Sequence, residues 1–196
     1  MSTEHQGVGE GAEHAADVLL VEDDEAAAML IARGVSSMGF TVKRAYDGEQ
    51  AILITHNNLP SMVLMDIMMP RLDGLETTRY LKTRYDGYLP VMVITAREDR
   101  ESLSRAQAAG VDDYMTKPVR VQRLRARIQR LMALRAAEDQ IPSADAVEAV
   151  IRLRVEIADE LCDLGRAAIA RVHLDRLRDL APAHEAVIAL GRKLDA

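Results

Sequence analysis

A chain of 196 residues, 48% hydrophobic and 29% charged, carries enough apolar side chain for one ordinary core and a smaller second one, and lies outside the compositions of disordered or fibrous proteins. Its formal net charge of −6 removes any overall attraction to nucleic acid or to an anionic membrane. No apolar run approaches the ~20 residues of a membrane span, no signal-peptide segment is legible, and the one cysteine, Cys162, excludes an internal disulfide, all of which points to a soluble chain in a reducing cytoplasm.

Residues 1–16 contain almost nothing to bury and read as a flexible tail, in which His5 and His14 match no metal-site spacing. Val18 to Val21 is a buried-strand run that ends at Glu22, Asp23 and Asp24, and the last of these suits a helix cap. Met29, Leu30, Ile31 and Val35 then mark a helix over 25–38, closed by Gly39. Phe40 to Ala45 reads as a second strand, and Asp47 caps a helix running to about Asn57. Val63 to Met65 is a third apolar run, cut short by Asp66 and then by Pro70, which no central strand tolerates. A helix over 74–84 follows, with Asp73 in the turn before it. Val91 to Thr95 is a fourth strand, 100–109 a helix stopped by Gly110, and Tyr114-Met115 a short fifth strand. After Lys117-Pro118 the helical pattern resumes from Val121 to about Ala136.

Five alternations of strand and helix imply a doubly wound α/β domain, a five-stranded parallel sheet with helices on both faces. Polar residues stand where the strands end: Glu22 and Asp23, Asp66, Thr95 and Lys117. With the strand order 2-1-3-4-5, all of them converge on one rim at the topological switch point. Three carboxylates gathered there repel one another, and a hard divalent cation such as Mg²⁺, which takes a few carboxylate oxygens and keeps waters, relieves that repulsion. A rim with one such ion, an ammonium, a hydroxyl and a free carboxylate can bind and accept a phosphoryl group.

The acidic pair after Val21, the D-I-M-M-P segment at Asp66, Thr95-Ala96 and Lys117-Pro118, at these intervals, resemble the receiver domain of two-component response regulators over residues 17–136. The resemblance implies a flavodoxin-like fold and makes Asp66 the phosphoacceptor, served by a histidine kinase or a phosphotransfer protein. It implies that Asp23 binds Mg²⁺ directly, Glu22 through water, and that the backbone carbonyl of Met68 joins Asp66 among the ligands. Lys117 would contact the phosphoryl oxygens, with a cis bond before Pro118. Thr95 and Tyr114 match the family's switch pair: Thr95 takes a new charge-assisted bond to the phosphate and the Tyr114 ring turns inward. Met68 and Arg97 stand where the family varies residues that tune phosphate lifetime. A receiver of this kind catalyses only its own phosphorylation and dephosphorylation and is not otherwise an enzyme.

Residues 137–143 read as a linker, with Pro142 opposing helix at Ile141, and 144–196 as a small all-α module of two full helices and a short one. A core this small calls for packing on the receiver or on a second copy. The module holds ten acidic and eight basic residues, so the basic recognition face of a DNA-binding output is missing and nucleic acid is not expected as a partner. The arginines at 120, 123, 125, 127, 130 and 135 read as a solvated or partner-facing side of the receiver's last helix, with phosphate binding as the lesser alternative. His173 invites a phosphotransfer role but lacks the Lys-Gly that phosphotransfer domains place nearby. The leading expectation is output by self-association or protein docking through 144–196. Its rivals are a DNA-binding transcriptional regulator and an aspartyl-phosphate enzyme acting on a small substrate, the latter disfavoured by Met68 where such enzymes place a second acid.

Overall fold

The structure, a computed structural model, describes residues 17–85, 87–96 and 98–195. The N-terminal segment 1–16 and Arg97 therefore lie outside the described residues, and with them the readings made of the tail and of Arg97.

Five strands, β1 (Val18–Val21), β2 (Val42–Ala45), β3 (Met62–Met65), β4 (Val91–Thr95) and β5 (Asp113–Thr116), form one parallel sheet in the order β2-β1-β3-β4-β5. The central strands β1, β3 and β4 are buried along their whole length, as continuous apolar runs require when helices cover both faces. β2, at an edge, is only half-buried. It is shorter than the expected 40–45, because Thr41 turns its side chain and backbone N–H onto Asp17 Oδ2 at 2.9 and 2.7 Å.

The connecting helices are α1 (Glu25–Ser36), α2 (Gly48–Asn57), α3 (Gly74–Arg84), α4 (Arg100–Ala108) and α5 (Val121–Glu138). Asp24, Asp47, Asp73 and Asp99 cap the first four through their side chains. α1 packs with α5, and α2 with α3. The expected linker 137–143 is shorter than the sequence suggests, because α5 keeps Ala137 and Glu138, and Glu138 is held in place by Arg154 Nε at 2.9 Å.

Beyond Asp139–Ser143 come α6 (Ala144–Asp163), α7 (Ala167–Leu180) and α8 (Glu185–Asp195). α6 and α7 form an antiparallel hairpin, α8 packs across both, α6 lies on α5 and α7 on α4. The buried apolar residues form one cluster from Val18 in β1 to Leu194 in α8, so the small helical core is completed by the α/β domain.

β5 is the sheet's other edge, and the α6–α7 hairpin reaches its free side at two points. His173 Nε2 lies 2.6 Å from the Asp112 carbonyl, and Arg166 Nη1 donates to the Tyr114 carbonyl at 2.6 Å. These carbonyls, two residues apart, point the same way from an extended chain, so the helical hairpin satisfies an edge that would otherwise face solvent. Beneath this contact lie buried ions. Asp112 is paired with Lys82 and approached by Arg176 at 3.4 Å, Asp113 is paired with Arg127, and Arg154 with Glu138. Removing one member of such a pair leaves an uncompensated charge and costs about 3–5 kcal/mol.

Candidate acidic site at the strand ends

Parallel ladders set the rim. Val21 pairs with Ala45 on one side and Met65 on the other, and Thr95 with Thr116. The ladder runs one residue past the strands: Glu22 N–H donates to the Ala45 carbonyl at 3.0 Å, Asp66 N–H to Val21 at 2.9 Å and Lys117 N–H to Thr95 at 2.8 Å. Three of the site's side chains therefore leave from backbone fixed by sheet hydrogen bonds, which holds them more tightly than a loop could.

Glu22, Asp23 and Asp66 each offer a carboxylate oxygen within 4.8 Å of the others. Glu22 and Asp66 are buried, at 1% and 6% exposure, while Asp23 faces solvent. Lys117 Nζ bridges the buried pair, 2.6 Å from Asp66 Oδ2 and 2.7 Å from Glu22 Oε2. Asp66 Oδ1 accepts the Met68 N–H at 3.1 Å, and the Met68 side chain stands exposed. Burial raises the Glu22 carboxyl above the usual range, the Asp66 charge adding to it and Lys117 opposing it. For Lys117, burial favours loss of the proton, but hydrogen bonds to Asp66 and Glu22 outweigh it and raise its pKa. The Lys117–Pro118 peptide bond is cis.

Gly74 lets α3 start directly against the phosphoacceptor candidate, since a Cβ there would overlap the Asp66 carbonyl. Thr95 is buried at the end of β4. Tyr114 is buried too, its ring already inward and covered by Arg166, whose guanidinium carbon lies 5.6 Å from the ring centroid. Burial, with Glu98 and Asp99 adding to it, pushes the Tyr114 hydroxyl up to about 12.

The structure thus brings Glu22, Asp23, Asp66 and Lys117 together and places Thr95 at the end of the neighbouring strand. A hard-oxygen donor set with one exposed member suits a small divalent cation that keeps part of its water shell. His173 is not part of any site of this kind. It is fully buried in α7 between Arg154 and Asp112, out of reach of a phosphate donor.

The family model for the response regulator receiver domain matches residues 18–129. This chain belongs to the response regulator receiver family. Among curated relatives, the response regulator MprA of Mycobacterium sp. (strain KMS) is 39% identical over 130 residues, covering 66% of this chain and 56% of its own. MprA of Mycobacterium ulcerans is 38% identical over the same length, covering 66% and 55%. The chain spans about half the length of the curated relatives it matches. Of solved structures, the receiver domain of a signal transduction histidine kinase from Syntrophus aciditrophicus is 27% identical with a TM-score of 0.58, covering 66% of this chain and 99% of its own. NtrX from Brucella abortus is 28% identical with a TM-score of 0.60, covering 65% and 29%. The flavodoxin-like receiver fold is therefore shared, whereas α6, α7 and α8 lie beyond the family match.

Sequence reasoning missed Arg166, which reaches Glu98 and Tyr114 from 68 and 52 positions away. Arg154 was within reach of it. The residue sits three positions after Ile151 and three before Ile157, inside the buried stripe of α6, and a charge at such a position demands a partner.

Proposed function

We propose that this receiver accepts a phosphoryl group on Asp66 from the phosphohistidine of a histidine kinase or phosphotransfer protein, in the cytoplasm, and signals through its helical module by protein contact. The carrying observation is the Asp66 carboxylate, buried at the rim with Lys117 on one oxygen and Glu22 and Asp23 beside it. An Asp66 oxygen forms the new bond to phosphorus as the phosphorus–nitrogen bond to the donor imidazole breaks, and the bonding pair returns to the imidazole. Lys117 is placed to exchange part of its contact with Asp66 for a phosphoryl oxygen, neutralising charge as it develops. The Thr95 hydroxyl, at the end of β4, serves the same group. Glu22, Asp23, Asp66 and the Met68 carbonyl would hold Mg²⁺, which screens the phosphoryl oxygens from the carboxylates. No other substrate enters this scheme, and the receiver's catalysis is confined to its own phosphorylation and its loss.

Output by protein contact is supported by the module's position on α4, β5 and α5, the elements next to Thr95 and Tyr114. Nucleic acid is not part of this reading: of the module's arginines, Arg154, Arg166, Arg171, Arg176 and Arg178 are engaged in ion pairs. Asp66→Asn should fold normally and take up no acid-labile phosphate from acetyl phosphate or a kinase; labelling equal to the wild type would reject the assignment.

A further inference from the structure

Between the start of α5 and the turn joining α6 to α7 lies a cleft of about 230 Å³. Arg120, Arg123, Arg127 and Arg166 line it with Thr116 and Pro118, and among the described residues its lining contains no Asp or Glu. Two of the arginines are braced from behind. Arg127 is buried against Asp113 and Glu160, and Arg166 against Glu98 and the Tyr114 carbonyl. The other two, Arg120 and Arg123, are exposed and have no ion pair or side-chain hydrogen bond among the described residues. Arg120, the N-cap of α5, makes no side-chain cap hydrogen bond, and the first turn carries no acid.

This arrangement has surplus positive charge at its centre. Four arginines line the cleft, while the three carboxylates that pair with Arg127, Arg130 and Arg166, those of Asp113, Glu160 and Glu98, are not part of its lining. The braced arginines are already ordered, so little side-chain entropy is lost when an anion arrives. Guanidinium forks suit the tetrahedral, multiply charged oxygens of phosphate, and an uncapped helix start adds to the same field.

We infer that this cleft binds the phosphate group of a small molecule, a phosphomonoester or diphosphate, bridging the receiver to its helical module. Arg120, Arg123 and Arg127 belong to the receiver and Arg166 to the module, so the ligand binds only while the two are docked and stabilises the docked state by linkage. The inference does not depend on Asp66 chemistry, because neither Asp66 nor Lys117 lines the cleft.

The test uses the full chain carrying Asp66→Asn, in Mg²⁺-free buffer at fixed ionic strength, titrated with inorganic diphosphate and followed by calorimetry and amide chemical shifts. Submillimolar binding is expected, with shifts concentrated at residues 116–127 and 164–167 and slower hydrogen exchange at the α6–α7 turn. Arg120→Gln with Arg123→Gln, both exposed and safe for folding, should weaken binding about tenfold or more. Undiminished binding in that double variant, shifts confined to the acidic rim, or no response beyond that of chloride would each overturn the site. Citrate provides the carboxylate arm, and binding as tight as diphosphate would overturn the assignment to phosphate.

Discussion

Arg166 grips Tyr114 twice, donating from Nη1 to its backbone carbonyl at 2.6 Å and lying over its ring at 5.6 Å. The same guanidinium donates to Glu98 Oε1 from Nε at 2.8 Å and from Nη2 at 2.6 Å. A residue at the start of α7 is thereby tied to β5 and to the segment before α4, both of which adjoin strand ends at the acidic rim. Any shift of Tyr114 or of that segment changes the energy of module docking, and by reciprocity the docked module biases the rim.

Arg166→Met should keep bulk while losing three hydrogen bonds, one to a buried carbonyl. The expected loss is about 2–4 kcal/mol of docking energy, seen as faster hydrogen exchange across α7 with little change in β1 and β3. Uniform acceleration through the whole sheet would mean that Arg166 supports the fold at large rather than the junction.

Much of the receiver is legible in the sequence because its determinants are local. β1, β3 and the Val91–Ile94 part of β4 are unbroken apolar runs, and Glu22, Asp66 and Thr95 each directly follow one. β5 was seen only as Tyr114-Met115, since Asp113 and Thr116 look like loop residues; Asp113 is admitted to a buried strand because Arg127, fourteen positions on, neutralises it. The junction with the module was not legible for the same reason. Asp112 and Arg166 carry no local signal, and His173 invites a phosphotransfer role as a histidine on a helical hairpin; only the docked hairpin supplies their partners.

Gly74→Ala should disturb both stability and chemistry. The added methyl would collide with the Asp66 carbonyl and crowd Met65, so α3 must retreat from the end of β3. Such overpacking costs about 1–3 kcal/mol, and displacing the attacking carboxylate by an ångström can slow phosphoryl transfer as much as about a hundredfold. Chemical denaturation and labelling with acetyl phosphate measure the two effects separately. Normal labelling in a destabilised variant would show that the rim relaxes independently of α3.

Mg²⁺ should stabilise the folded chain, because it relieves the repulsion among Glu22, Asp23 and Asp66. At ten times the dissociation constant the gain is about 1.4 kcal/mol, visible as a rise in melting temperature that chelation reverses. Asp23→Asn removes the exposed ligand without disturbing a buried pair, and is expected to fold normally but lose most of the Mg²⁺-dependent rise. An equal rise in that variant would place the ion elsewhere.

His173 makes the docked module acid-sensitive. Burial, reinforced by Arg154 and Arg176 and opposed by Asp112, pushes its pKa down from 6.5 to about 3. Its contacts describe the neutral tautomer: Nδ1 accepts from Arg154 at 3.3 Å while Nε2–H donates to the Asp112 carbonyl at 2.6 Å. Between about pH 6.5 and 3 the unfolded chain binds a proton that the native chain refuses, so stability falls as pH falls, by at most about 1.4 kcal/mol per unit. Asp113 has the opposite sign, its pKa raised by burial from 3.8 to about 6, so it favours the native state as pH falls through that window and flattens the total profile. His173→Gln keeps a donor for the Asp112 carbonyl but cannot titrate, and Asp113 is common to both proteins. The stability difference between wild type and His173→Gln should therefore shrink steadily from pH 7 to pH 4 in parallel denaturant titrations. A difference that stays constant would show that His173 takes up its proton as readily in the native chain as in the unfolded one, and that burial and Arg154 do not hold it neutral.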